Sequence, residues 1–224
     1  MSSKSLAIVG GSGTGKTTAL RNLRPKETVI IQLLPKALTW PGWKKDFSSE
    51  NKNFLQYQKW DEVTSAIVGI SKSMPHIKQI VVDDVGYTII RELFSRSDEK
   101  NFNKFTDIGH QMYRVLTVGD KLRDDLTICY VFHEEVTDQS KQSGPTKSIK
   151  MSSQWIKREL DPAELFTEVL FTEVIDSPTG LEYTFQTNRA KGVPAKSRMG
   201  MFNELNVPND LQVIIDRIQA YDSE

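Results

Sequence analysis

The stretch that decides the fold is Ala7-Ile8-Val9-Gly10-Gly11-Ser12-Gly13-Thr14-Gly15-Lys16-Thr17-Thr18. Gly10, Gly15, Lys16 and Thr17 stand within it at the spacing Gly-x4-Gly-Lys-Thr, the phosphate-binding loop pattern. The apolar run 6–9 before it predicts a buried strand. The helix-compatible run 17–22 after it is closed by Pro25. The spacing has a physical reason. Glycines let the backbone curl around a phosphate chain where a Cβ would obstruct it, so that successive N–H groups point inward as an anion nest. Gly10, Gly11, Ser12, Gly13, Thr14, Gly15, Lys16, Thr17 and Thr18 are the expected phosphate-lining set, and the helix after the loop is expected to add its positive end. Lys16 reaches the β- and γ-phosphates, and the Thr17 hydroxyl is offered to Mg²⁺.

Composition narrows the class. The chain has 224 residues, 38% hydrophobic and 26% charged, which suits one α/β domain over residues 1–224 and excludes a disordered chain. Lys and Arg number 29, as do Asp and Glu. No global charge argues for nucleic acid, so any such site has to be a local patch. The one cysteine, Cys129, sits in an apolar run. It excludes an internal disulfide and a zinc finger and reads as a buried inert thiol. No apolar stretch approaches the ~18 residues of a membrane span, and the short first apolar run does not read as a signal peptide. The expected compartment is the cytoplasm.

Working outward, residues 27–34 (ETVIIQLL) predict a second buried strand, and strand–helix–strand predicts a parallel sheet. Residues 35–53 are irregular, with Trp40, Trp43 and Phe47 interleaved with Lys36, Lys44 and Lys45. They read either as a surface loop anchored by its tryptophans or as a base-stacking, phosphate-holding surface. A short strand is expected at 54–58, then a helix capped by Asp61 and running to about Ser73.

The apolar run 77–82 stops at Asp83-Asp84. With a phosphate loop upstream, Asp83 is the candidate for the Mg²⁺ shell. Asp84 stands where an acid could polarise an attacking water. Helices are expected at 85–94 and 101–124, followed by a strand at 126–132 that ends at His133. Ligands of open α/β sheets gather at the carboxyl ends of strands. His133 is therefore a candidate γ-phosphate sensor, or simply a capping residue.

Residues 134–155 carry few apolar side chains and read as a mobile segment. Lys141, Lys147, Lys150, Lys157 and Arg158 form a run without an intervening acid, either a phosphate-backbone site or a solvated loop. Strands at 165–175 and 181–187 around a turn predict a hairpin. Arg189, Lys191, Lys196 and Arg198 follow without an acid. They could reach a neighbouring subunit's nucleotide, hold DNA, or form a plain basic loop. Asp210 opens a last helix.

The loop, the Asp83-Asp84 strand end, His133 and the hairpin together resemble the RecA-like P-loop ATPases. The phrases Ile8-Val-Gly-Gly-Ser-Gly-Thr-Gly-Lys-Thr-Thr18, Val81-Val-Asp-Asp84 and Ala195-Lys-Ser-Arg-Met-Gly-Met-Phe202 are similar to those of phage-encoded single-strand-annealing ATP-binding proteins of the Sak-four type. The resemblance implies an α/β fold with a mainly parallel central sheet flanked by helices and a C-terminal β-hairpin extension. It implies ATP and Mg²⁺ as cofactors, single-stranded DNA as partner, and a homo-oligomer with sites at subunit interfaces. It also implies His133 as sensor, and Lys191 or Lys196 as the lysine inserted into the next subunit's site.

One departure stands out. RecA-like chains keep a catalytic glutamate at the end of the strand after the loop helix, whereas this chain reads Gln32-Leu33-Leu34-Pro35-Lys36. Either Asp84 takes that role, or the protein is a nucleotide-switched assembly or loader factor with little hydrolysis. A small-molecule kinase is the remaining alternative, weakened by the absence of arginine from 134–155.

Overall fold

Strand β1 (Lys4–Gly10) explains why helices must cover both faces of the sheet, since Leu6, Ala7, Ile8 and Val9 along it are all excluded from solvent. In the computed structural model, which describes residues 3–138, 145–178 and 180–223, β1 is followed by a short 3₁₀ turn (Thr18–Asn22), β2 (Thr28–Gln32), α1 (Trp43–Asp46), β3 (Phe54–Gln56) and α2 (Trp60–Ser73). Next come β4 (Gln79–Asp83), α3 (Tyr87–Ser95), α4 (Asn103–Leu116), β5 (Thr127–Asp138), β6 (Pro145–Ile149) and α5 (Gln154–Glu159). The last elements are β7 (Glu168–Ser177), β8 (Gly180–Gln186), β9 (Asn206–Pro208) and α6 (Leu211–Tyr221).

The strands lie in the order β3-β2-β4-β5-β1-β7-β8-β9. From β3 to β7 every neighbouring pair is parallel, while β8 and β9 add antiparallel strands at one edge. This is the predicted mainly parallel α/β sheet with its C-terminal hairpin. Alternate side chains divide the core. Leu6, Ile8, Ile30, Val81 and Val131 pack with Leu20 and with Leu211, Ile214 and Ile218 of α6. Ala7, Val9, Ile31, Val82 and Tyr130 pack on Val63 and Ile67 of α2 and Ile108 and Met112 of α4. Each buried Leu, Ile or Val contributes roughly 1.5–3 kcal/mol of burial, so the central strands are held from both faces. Cys129 is fully buried there, and burial pushes its thiol up, as expected of an inert core cysteine.

Four local expectations are corrected. The helix after the loop is only a 3₁₀ turn, Thr18–Asn22; its dipole adds little. Helix α2 is not capped by Asp61. It starts at Trp60, where the Glu62 carboxylate accepts from the Gln58 and Lys59 backbone N–H groups at 3.1 and 3.0 Å. The expected helix at 101–124 stops at Leu116. Gly119 there lies so close to Ser3 that an added Cβ would meet the serine Oγ at 2.5 Å, and the Ser3 hydroxyl donates to the Gly119 carbonyl at 2.8 Å.

The fourth correction concerns 134–155. Strand β5 does not end at His133 but continues to Asp138 and pairs antiparallel with β6, forming an arm. Two cations of the acid-free basic run are paired with acids of β5: Lys147 of β6 lies 3.1 Å from Glu134, and Lys157 of α5 lies 2.5 Å from Glu135. Lys150 and Arg158 are exposed, and Lys141 lies outside the described residues. Among the described residues, no helix is long and apolar enough to cross a membrane.

Candidate functional site

Because β5 lies between β4 and β1, three strands deliver their chemistry to one end of the sheet. Gly10 at the end of β1 stands in register with His133 of β5. Asp83 at the end of β4 stands in register with Gln32 at the end of β2. The loop itself turns through Gly13 and Gly15, with φ of 78° and 94°, values that disfavour any side chain. Gly10 is needed for a different reason: a Cβ there would lie 1.8 Å from Thr172 Oγ1 of β7. Thr172 is fully buried and sits 2.5 Å from the Thr14 hydroxyl, which itself lies 2.9 Å from the Gly11 carbonyl. Gly10→Ala is expected to lower unfolding stability by about 1–3 kcal/mol through overpacking, read as a shifted midpoint in urea.

Lys16 is 7% exposed, and its ammonium donates to the carbonyls of Gly10 and Gly11 at 2.9 and 2.6 Å. Burial, helped by the charge of Lys36, lowers its pKa against the pull of Asp84 and Asp83. Thr17 is buried beside it. Thr18 shares a 3.0 Å hydroxyl contact with Thr39, which ties the loop to the 35–53 segment.

The two acids differ. Asp83 is fully buried, and among the described residues neither carboxylate oxygen makes a hydrogen bond of normal geometry, although the Gln32 amide lies near enough to favour its charged form. Burial and the neighbouring Asp84 push its pKa up to about 6, against the opposing influences of Lys36, Gln32 and Lys16. Asp84 takes the left-handed backbone conformation, φ 63°, which aspartate tolerates better than most residues. Its carboxylate pairs with the Lys36 ammonium, and His133 Nε2 lies 3.1 Å from its other oxygen. Burial alone would raise its pKa, but the nearby His133 ring and the Lys36 ammonium outweigh burial and hold it below the usual carboxylate range.

A buried carboxylate without a hydrogen bond of normal geometry fits a Mg²⁺ shell. Among the described residues no three His, Cys, Asp or Glu side chains converge on a protein-only metal site. Mg²⁺ would thus be held by Thr17 and Asp83 together with phosphate oxygens, as this ion commonly is.

The structure thus brings together the 10–18 loop, Asp83, Asp84 and His133. It does not bring Lys191 or Lys196 to this loop. Lys196 exchanges backbone hydrogen bonds with Val169 of β7, while Phe171 is the β7 residue facing Val9 beside the loop. Lys191 is exposed with φ 49°, in a turn whose Gly192 carbonyl accepts from Lys147 N at 2.9 Å. Arg198 is engaged by Glu168 at 2.5 Å and by Asp222.

Five residues at the site escape the sequence reading of its chemistry. Gln32, fully buried, accepts from Lys36 N and Gln56 Nε2 through its Oε1, at 3.1 and 3.2 Å. Lys36 reaches back to Asp84. Glu134 approaches Gly11, where a Cβ would meet its Oε1 at 3.0 Å, and Tyr183 approaches Gly15, where a Cβ would meet its Cδ1 at 2.9 Å. Asn209 is 2% exposed, and its two amide atoms have no hydrogen-bond partner among the described residues. The strand-end rule that reaches Asp83 reaches Gln32 equally, whereas Glu134 lies inside β5, where the parallel sheet gives way to the arm. Nothing in sequence pairs Lys36 with Asp84 or places Tyr183 and Asn209 beside the loop. A cleft of 1190 Å³ opens at the other end of the strands, beside Glu27 and Lys78, and contains none of these residues.

The AAA_24 family model, an AAA domain, matches residues 2–199. This chain belongs to the AAA_24 family. The match takes in the loop, both acids, His133 and the β7–β8 hairpin. The AAA_24 fold seen here is also similar to a KaiC-like protein from the hyperthermophilic archaeon Pyrococcus horikoshii OT3. The TM-score is 0.51 at 13% identity, over 88% of this chain and 83% of that one. At that identity the likeness concerns the fold alone, which is RecA-like. No curated protein matches.

Proposed function

We propose that this AAA_24 chain is a Mg²⁺-dependent ATPase that acts on single-stranded DNA as a homo-oligomer, in recombination, repair or replication. The observation that carries the reading is the convergence of Lys16, the buried carboxylate of Asp83 and His133 on the one loop. When bound, Mg²⁺ neutralises charge on the β- and γ-phosphates. The loop N–H groups and Lys16 bind the phosphates, Thr17 and Asp83 hold the ion, and His133 responds to the terminal phosphate. The half-exposed ring of Tyr183 against Gly15 offers a stacking face for the base.

The DNA part of the proposal rests on continuity. Strand β5 runs through His133 into the β5–β6 arm, and the turn holding exposed Arg189 and Lys191 packs on that arm. A change at His133 would therefore move a basic surface. Self-assembly draws support from Phe94 and Phe102, which are 75% and 76% exposed around the α3–α4 connection. An oligothymidylate titration tests the DNA reading. Binding is expected to be stronger with Mg·ATP than without nucleotide and to weaken steeply with salt; no binding at low salt with Mg·ATP present would refute it.

A second reading, a nucleotide-switched assembly factor with little turnover, is favoured by one observation. Gln32 rather than an acid ends β2, and Asp84 is engaged by Lys36 and His133. Multiple-turnover phosphate release would remove it.

A further inference from the structure

We propose that Lys36 is a phosphate-responsive gate: a cation that holds Asp84 paired until a nucleoside triphosphate binds, then transfers to the terminal phosphate and carries the 35–53 segment with it. The inference rests on the ATP-binding reading above and deepens it.

Four observations carry it. Among the described residues Lys36 is held at two points, its ammonium on the buried Asp84 carboxylate and its backbone N–H on Gln32 Oε1 at 3.1 Å. Its side chain is 36% exposed, so it can leave without opening the core. It lies in the field of both acids, with Asp83 the strongest charge raising its pKa, and close enough to Lys16 for the two ammonium groups to repel. Finally, it stands at the head of a segment fastened to the phosphate loop by Thr18–Thr39 and to the core by aromatic contacts. Trp40 meets Phe47 with ring centroids 6.2 Å apart, and Trp43 meets Phe54 at 5.2 Å.

The physical logic is a competition among charges. Two buried acids are balanced by Lys16, Lys36 and, when protonated, His133. A triphosphate beside Lys16 adds several negative charges at the same end of the sheet. A divalent cation beside Asp83 takes over the compensation that Lys36 had supplied. Lys36 is then drawn from Asp84 towards the most charged oxygens within its reach, those of the terminal phosphate. Asp84, left with His133, becomes free to accept a hydrogen bond from water. The gate thereby makes good the missing strand-end glutamate: the acid is present, but masked until the triphosphate arrives. A diphosphate lacks the group that draws Lys36 away, so the segment bearing Trp40 and Trp43 stays docked.

The test compares affinities for a non-hydrolysable ATP analogue and for ADP, both with Mg²⁺, alongside acrylamide quenching of tryptophan in a Trp155→Phe background. That background leaves Trp40, Trp43 and the buried Trp60. In the otherwise unaltered protein the analogue is expected to raise quenching and ADP to leave it unchanged. Lys36→Met is expected to reduce the analogue-to-ADP affinity ratio about tenfold, through removal of one charge-assisted hydrogen bond. ADP affinity should not change, and the quenching difference should vanish. Lys36→Arg, which keeps the charge, is expected to retain most of the ratio. A wild-type ratio in Lys36→Met, or equal quenching with both nucleotides in the unaltered loop, would overturn the gate. Absence of binding by either nucleotide to the unaltered protein would instead remove the ATP reading, and the gate with it.

Discussion

Lys16→Ala is expected to weaken Mg·ATP binding by about 100-fold or more. The ammonium is seated inside the loop, where it donates to two of the loop's own carbonyls. In the complex those donors turn to phosphate oxygens, and charge-assisted hydrogen bonds of this kind contribute roughly 1.5–3 kcal/mol each. Removing both corresponds to a factor of about 100 or more in affinity. The loop backbone should survive, because Thr14, Thr172 and the glycine conformations shape it independently of Lys16. Isothermal titration with a non-hydrolysable analogue measures the drop in affinity, and an unchanged circular dichroism spectrum shows that the fold is kept. Affinity within about threefold of wild type would mean that the phosphates lie elsewhere.

Asp83→Asn is expected to act in two directions at once. Without Mg²⁺ it should stabilise the protein at neutral pH; with Mg·ATP it should abolish the metal-dependent part of binding. The first effect follows from the pKa pushed up to about 6 in the folded protein, against an ordinary 3.8. The folded state holds the Asp83 proton more tightly than the unfolded chain does. Folding is therefore penalised above pH ~6, and the penalty fades as the pH falls from about 6 towards 4. The difference is of order 3 kcal/mol at neutral pH. Asparagine should recover about 1–3 kcal/mol of it, a rise of several degrees in Tm for a chain of this length. Asp84 has the opposite sign, since its lowered pKa stabilises the fold at neutral pH and that contribution is lost only below the ordinary carboxylate range. The window from pH 4 to 6 therefore reports chiefly on Asp83. Thermal melts of both proteins at pH 4 and 7.5 check this: the gap should be wide at pH 7.5 and nearly closed at pH 4. An Asp83→Asn protein less stable at pH 7.5 would show that the carboxylate already has a partner.

The legible and illegible parts of this chain separate by range. Strands β1, β2, β4 and β5 could be read because each is buried on both faces, which leaves an uninterrupted apolar run in the sequence. The loop could be read because its glycines answer a purely local demand. Asp83 stands at the carboxyl end of β4 as the strand-end rule expects, whereas His133 lies inside β5 and reaches the same end of the sheet because the parallel pairing with β1 stops at it.

What could not be read depends on pairing across long separations. In the β5–β6 arm the acids stand on β5 while their cations come from β6 (Lys147) and α5 (Lys157), so the run looked unstructured and uncompensated. Lys36 looked like part of an aromatic–basic surface, because its partner lies 48 residues away. Trp40 and Trp43 turned out to anchor that segment against Phe47 and Phe54, one of the two readings the sequence allowed. Helix α4 ended early for a similar reason: Gly119 is contacted by Ser3, 116 residues distant.

The most direct test of the proposed function is phosphate release from Mg·ATP by the full chain, with and without single-stranded DNA, with Lys16→Ala as control. Multiple turnovers are expected, raised by the single strand and absent in Lys16→Ala. Turnover that ignores DNA, or survives removal of the Lys16 ammonium, would contradict it.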